Sequence, residues 1–255
     1  MPQEAPTGRS GVQSLQRAFD LLEHLADAGG EMGLSQLAAV AGLPQPTIHR
    51  LIRTLVEMGY VHQQPSRRYA LGTRLIRLGD TANRHLGQRA RPILADLVAA
   101  TGETANLATL DGDRVVYLAQ VPSPHAMRMF TEVGRRVLPH CTGVGKALLA
   151  QLPATEAHGI LARTGLPPMT GHTITDLAEF DRELDRIRAS GYAIDEGEQE
   201  VGVRCVAAPV VGAPTMTALS VSGPEGRLTR QAAERIAPLL CAAAKRLAAD
   251  IAAGN

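Results

Sequence analysis

Apolar residues near the start of the chain fall on helical periods. Leu15, Ala18, Phe19, Leu22 and Leu25 recur every three or four positions, which predicts an amphipathic helix over 12–26, ended by Gly29-Gly30. Ser35 is placed to cap a short helix over 36–40 with Leu37 toward the core. After the tight turn Ala41-Gly42-Leu43-Pro44, a third helix is expected to carry Pro46 at its first position, where a missing N–H costs nothing. Ile48, Leu51, Ile52 and Leu55 share one face of that helix. Arg50, Arg53, Thr54 and Glu57 lie opposite, with Thr47 and His49 at the flanks. Short strands at 60–63 and 68–71 flank a Pro65-Ser66 turn. Two helices about a glycine turn, followed by a hairpin, predict a winged helix-turn-helix over 12–72. A linker helix is expected over 73–90, with Leu75, Leu78, Ala82 and Leu86 apolar, until Arg91-Pro92 breaks or restarts it.

Beyond Pro92 helical and strand patterns alternate over 91–255. Helices are expected at 92–100, 142–152, 154–164 and 176–190, with a closing amphipathic helix over 229–251. Strands are expected at 104–110 and 115–121 around an Asp111-Gly112-Asp113 turn, and at 192–195, 204–211 and 216–221. This order predicts an antiparallel sheet with helices on its faces, so the fold class is α+β.

Composition removes several classes. The chain has 255 residues, 45% hydrophobic and 20% charged, enough for one large or two ordinary globular domains. It contains no apolar run of membrane-spanning length, and its start lacks the charged-then-apolar pattern of a signal peptide. Residues 1–11 are expected to be a disordered tail and the protein cytoplasmic. Three widely spaced cysteines, without a Cys-x-x-Cys, give neither a disulfide framework nor a zinc site. The histidines form no ligand pattern, so no metal or cofactor is implied. The net charge of +1 conceals an asymmetry: residues 1–90 carry ten Arg against seven acidic residues, while the remainder carries sixteen basic against eighteen acidic. Between Gln45 and Arg77 six arginines face only Glu57. Such a stretch suits phosphate contacts, although a solvated arginine face would look the same. With the helix-turn-helix it points to double-stranded DNA, read by Gln45, Thr47, His49, Arg50 and Arg53. Arg67 and Arg68 at the wing tip would reach the backbone or minor groove.

Two motifs in the second region invite chemistry. Gly143-Val144-Gly145-Lys146 suggests a phosphate loop, but that loop needs glycine at His140 and a hydroxyl residue at Ala147. What remains is a glycine turn opening a helix, suited either to a small anion or to close packing. Cys141 and Cys205 raise a thiol-dependent hydrolase as an alternative function. No nucleophile signature surrounds either, and each also fits a small buried hydrophobe.

Many short segments, in order, resemble the IclR-type transcriptional regulators. They include Val12-Gln13-Ser14-Leu15-Gln16-Arg17-Ala18, Gly42-Leu43-Pro44, Thr47-Ile48-His49-Arg50-Leu51 and Gly59-Tyr60-Val61. Later come Gly145-Lys146-Ala147-Leu148-Leu149, Gly202-Val203-Arg204-Cys205 and Leu219-Ser220-Val221-Ser222-Gly223-Pro224. The resemblance implies a linker helix between the winged helix-turn-helix and a GAF-like α/β effector domain. It also implies a homodimer or homotetramer on a palindromic operator. In the family the effector pocket falls on the positions held here by Gly143, Val144, Asp195, Cys205, Ser220 and Ser222. Backbone N–H groups and serine hydroxyls can hold a carboxylate, and Asp195 can accept from a ligand hydroxyl or amide. Gly102-Glu103-Thr104-Ala105-Asn106 and 161–166 look most like the allantoin-catabolism repressors, which implies glyoxylate or allantoate as effector. The wing turn lacks the family's usual glycine, and the turn at 211–214 is short.

Overall fold

The computed structural model describes residues 12–83, 87–129 and 131–253. The tail expected at 1–11, like Leu86, lies outside the described residues. The chain divides into two compact units, Met1–Ala82 and Asn83–Asn255.

The first unit is built on α1 (Gln13–Asp27), β1 (Glu31–Met32), α2 (Leu34–Ala41), α3 (Gln45–Glu57), β2 (Val61–Gln63), β3 (Tyr69–Leu71) and α4 (Arg74–Asn83). Leu21, Leu22, Leu25, Leu37, Ile48, Ile52, Leu55 and Val61 make its core. The expected stripe of the first helix is therefore rotated: Leu15 and Phe19 are 57% and 59% exposed. They line an apolar groove of about 800 Å³ with Leu51, Met58, Leu75 and Leu78.

Gly33, not Ser35, precedes α2, and its N–H donates to Gln36 Oε1 at 3.0 Å. The Ser35 hydroxyl instead accepts from Gln45 Nε2 at 3.1 Å, tying α2 to α3. Gly42, at φ 62, ends α2 in the left-handed region that glycine enters without steric cost. α3 begins one residue earlier than expected, so Pro46 is its second residue, still within the turn where no N–H is needed. β1 was not anticipated: it pairs antiparallel with β3, giving a three-stranded sheet in the order β1-β3-β2.

The second unit contains α5 (Gly87–Thr101), β4 (Thr104–Asp111), β5 (Arg114–Val121), β6 (Arg136–Val137), α6 (Gly143–Leu149) and α7 (Ala154–Thr164). It continues with α8 (Leu177–Ser190), β7 (Ala193–Glu196), β8 (Val203–Pro209), β9 (Thr217–Pro224) and α9 (Arg230–Ala253). α5 runs straight through Pro92, so the break expected at Arg91-Pro92 does not occur. Burial of Ala90, Ile93, Leu94 and Leu97 along one side outweighs the single N–H that proline removes.

The six strands form one antiparallel sheet in the order β6-β5-β4-β9-β8-β7. Strand alternation divides it into two faces. Ala105, Leu107, Ile194, Val206, Ala208, Leu219 and Val221 pack against α5 and α9. Ala108, Val115, Ala193, Ala207 and Ala218 share the other core with residues of α6, α7 and α8. The second face also carries a cluster of buried polar side chains, which no core needs for packing alone.

Candidate functional site

On the first unit the polar side of α3 presents Gln45, His49, Arg50 and Arg53 exposed, with Thr47 half-buried. Arg53 Nε donates to Glu57 Oε1 at 2.9 Å, an exposed i,i+4 pair of little energetic weight. Arg50 borders the apolar groove, and its guanidinium, like those of Arg67 and Arg77, makes no hydrogen bond or ion pair among the described residues. Arg67 sits exposed in the wing turn at φ 61, a left-handed conformation that glycine enters more readily. Arg68 was expected at the tip beside it, but its guanidinium turns back. Nε donates to Glu31 Oε1 at 3.0 Å and Nη2 to the Glu31 carbonyl at 3.2 Å. Arg68 thus fastens the wing to β1. Arg74 is committed as well, donating to the Met58 carbonyl and lying 5.4 Å from the Tyr60 ring centroid.

In the second unit strand register assembles the remaining predicted positions. Asp195 on β7 pairs with Cys205 on β8, Cys205 with Ser222 on β9, and Ser222 with Thr104 on β4. One step along, Ser220 pairs with Ala207 and with Asn106. All of these polar side chains are buried. Ser220 and Ser222 lie within hydrogen-bonding reach of the Cys205 sulfur. Asn106 Nδ2 donates to Ser220 Oγ at 3.4 Å, and Gln120 Nε2 donates to Asn106 Oδ1 at 3.2 Å. The two amides fix each other's orientation, which leaves the Ser220 proton free to point elsewhere. Burial raises the pKa of the Tyr117 hydroxyl, and the nearby Asp195 carboxylate raises it further.

α6 closes the cluster. Thr142 caps it, its hydroxyl accepting from Gly145 N–H at 3.2 Å. The Gly143 and Val144 N–H groups have no partner among the described residues, as expected of a first helical turn. A Cβ on Gly143 would stand 3.0 Å from Cys205 Sγ, so the glycine loop and the strand row are in contact. A Cβ on Gly145 would lie 2.2 Å from the Pro139 carbonyl oxygen, so that glycine serves close packing. The close-packing meaning of the glycine turn is therefore realised at Gly145.

Lys146, three residues into the same helix, is 1% exposed. Its Nζ donates to Glu198 Oε1, to Glu183 Oε1 at 3.0 Å and to the Ile194 carbonyl at 2.7 Å. Burial works to lower the lysine pKa, but the two glutamates outweigh it and the net shift is upward. Burial raises Glu198, whose Oε2 has no partner. Asp195 Oδ1 accepts from the Glu198 N–H at 2.7 Å. Burial, and then the Glu198 charge, push its carboxyl up to about 7. Lys146, Glu198, Tyr117 and Asn106 were not among the predicted site residues. Only Lys146 had a local signal, and that suggested phosphate.

The comparisons with known proteins decide the class. Residues 80–249 match the model for the bacterial transcriptional regulator IclR C-terminal region, and residues 14–65 the IclR helix-turn-helix domain. The chain belongs to the IclR family of bacterial transcriptional regulators. It is 35% identical over 243 residues to the transcriptional repressor IclR of Escherichia coli K12, spanning 92% of this chain and 89% of that protein. It is likewise 35% identical over 233 residues to the HTH-type transcriptional repressor AllR of Klebsiella pneumoniae, spanning 89% of this chain and 85% of that protein. An IclR homolog from Microbacterium hydrocarbonoxydans, solved in complex with 4-hydroxybenzoate, has a TM-score of 0.81 and 26% identity. It covers 94% of this chain and 100% of its own.

IclR-family members are regulators and not enzymes, so the hydrolase alternative finds no support. The chemistry agrees. Burial pushes the Cys141 and Cys205 thiols up to about 12, leaving almost no thiolate near neutrality. Cys141 Sγ donates to Gln199 Oε1 at 2.8 Å, while His140 Nε2 is engaged at 3.0 Å with the Pro167 carbonyl. No helix among the described residues is long and apolar enough to cross a membrane.

Proposed function

We propose that this chain is a cytoplasmic repressor of a catabolic operon whose operator binding is set by a small carboxylate. In this reading residues 12–72 form the DNA-binding domain, 73–90 the linker and 91–255 the effector-binding domain. A homodimer or homotetramer grips a palindromic operator through α3 and the wing. Gln45, Thr47, His49, Arg50 and Arg53 address the major groove, and Arg67 the phosphates. The effector, with glyoxylate and allantoate as first candidates, lies against Gly143, Val144, Asp195, Cys205, Ser220 and Ser222.

The observation that carries this reading is the buried row Asp195, Cys205 and Ser222, with Gly143 against Cys205. Hydroxyl, thiol and backbone N–H donors converge there on one face, as an anion requires. The bound 4-hydroxybenzoate of the Microbacterium relative is a carboxylate of the same kind.

The test is a titration of glyoxylate and allantoate into the full-length protein bound to a duplex selected from a random pool. Ser222→Ala should leave DNA affinity intact and raise the concentration for half-maximal response about tenfold, or about 1.4 kcal/mol. That matches the loss of one charge-assisted hydrogen bond. An unchanged response in both Ser222→Ala and Asp195→Ala would place the effector elsewhere.

A further inference from the structure

The buried face around Asp195 has a charge count that constrains how an anion can enter it. Two cations serve the region, Lys146 on α6 and Arg186 on α8. Three carboxyl groups share them: Glu198, Glu183 and Asp195. Arg186 and Lys146 both bind Glu183, and Lys146 also binds Glu198. All the donors that Lys146 can offer are used, because the Ile194 carbonyl takes the third. Asp195 is left with backbone N–H donors alone.

The other groups around it supply no positive charge. β8 contributes the neutral Cys205 thiol, and the segment before α6 contributes the neutral Cys141 thiol. β9 contributes two serines, and β5 the Tyr117 hydroxyl. Glu196, next along β7, is occupied by Arg204 and Arg230. Arg135 is exposed and acts on Tyr117, whereas the charges acting on Asp195 are those of Glu198 and Lys146. A second sign is Glu198 Oε2, a buried carboxylate oxygen with no hydrogen-bond partner among the described residues.

We propose that a carboxylate effector enters this pocket together with one proton, held on Asp195, whose carboxylic acid then donates to the ligand instead of repelling it. The inference rests on the carboxylate reading above and adds to it the ionisation state in which the site binds. With Lys146 already paired to Glu198 and Glu183, two adjacent carboxylates that have no cation of their own cannot both stay ionised in a buried site, so one takes up a proton. The ligand's own carboxyl is more acidic and would accept from the Gly143 and Val144 N–H groups and the Ser220 and Ser222 hydroxyls, so the proton resides on the aspartyl group.

The direction with pH follows from linkage. Burial has already pushed Asp195 to about 7 in the free protein, so below that pH the proton is in place before the ligand arrives. Above it, the ligand must bring the proton in, and affinity falls as pH rises.

The experiment is calorimetric titration of the full-length protein with glyoxylate and with allantoate at pH 6 and pH 8, in buffers of low and high ionisation enthalpy. Proton uptake should be near zero at pH 6 and near one at pH 8, and Kd should rise about tenfold between them. Asp195→Asn, neutral at every pH and still a donor, should bind with pH-independent Kd and no uptake. Binding by the wild type at pH 8 without proton uptake overturns the proposal and leaves the carboxylate reading standing. Loss of binding at pH 6 in a folded Asp195→Asn protein also overturns it, since the ionised aspartate would then be the needed form. If neither acid binds at either pH, the carboxylate reading fails and the proposal falls with it. Should the variant not fold, the wild-type uptake decides alone.

Discussion

Lys146→Met removes the ammonium at the centre of the α6 cluster while keeping an unbranched side chain of similar length, so it creates little empty volume. Three contacts are lost, those with Glu198, Glu183 and the Ile194 carbonyl. Glu183 keeps Arg186 at 2.7 Å, but Glu198, whose Oε2 already has no hydrogen-bond partner among the described residues, loses the lysine that holds Oε1. Removing one partner from a buried pair costs about 3–5 kcal/mol. At about 2–4 °C per kcal/mol for a unit of this size, Tm should drop by about 6–20 °C at pH 8. The loss should shrink at pH 5. Burial holds the Glu198 pKa above its ordinary value, and without the lysine it climbs further, so the acid neutralises itself as pH falls. Lys146→Met/Glu198→Gln should recover most of the stability at pH 8, because it removes the uncompensated charge as well. Thermal unfolding of the wild type, Lys146→Met, Glu198→Gln and the double variant by circular dichroism at both pH values completes the cycle. A single variant within 1 kcal/mol of wild type, or a double variant as unstable as the sum of its parts, would show that the three groups do not act as one buried unit.

On the first unit, Arg50→Ala and Arg53→Ala should abolish specific footprinting without lowering Tm, each losing about 1–3 kcal/mol of base contact. Normal footprints by both at physiological salt would remove α3 from the major groove. Arg67→Ala should weaken binding to all sequences and flatten the salt dependence by a slope of about 1. Arg68→Ala should instead loosen the wing by freeing β3 from Glu31, with little change in salt slope. Equal slope changes for both would mean that Arg68 leaves Glu31 for phosphate in the complex.

Helix periods and turn residues were legible wherever an element was long enough to repeat. β1 and β6, of two residues each, have no period to show. The stripe of α1 was visible, but not which part of it meets the core: Leu15 and Phe19 belong to the apolar side and yet lie outside it. Arg68 looked like a wing-tip charge because its partner, Glu31, lies 37 residues earlier, beyond any local spacing. Lys146 was opaque for the same reason, with partners 37 and 52 residues downstream. A lysine after glycines suggests an exposed or phosphate-bound cation, and nothing nearby announces a salt bridge inside the core. The Asp195, Cys205 and Ser222 positions came from family resemblance. Only sheet register brings them together, and register between distant strands is not written in either strand alone.

The two units use their charges in opposite ways, and this decides what kind of control the effector can exert. In the second unit many arginines are spent on carboxylates, as in Arg136–Asp111, Arg163–Asp113, Arg204–Glu196 and Arg227–Glu103. In the first unit the guanidinium groups of Arg50, Arg67 and Arg77 have no partner among the described residues. In the proposed reading phosphate is held by the first unit, which carries the helix-turn-helix and where those arginines remain to neutralise phosphate and release counterions. The proposed effector groups lie wholly in the second, so the effector does not compete for any DNA-contacting side chain. Its influence must be a coupling free energy between two equilibria, of the order of 1–3 kcal/mol in typical regulators. Such coupling is reciprocal. If glyoxylate weakens operator binding by a given factor, saturating operator must weaken glyoxylate binding by the same factor. Calorimetry on the free and DNA-bound protein can compare the two directly. Unequal factors would mean that more than two states, or a change of assembly, stands between the two sites.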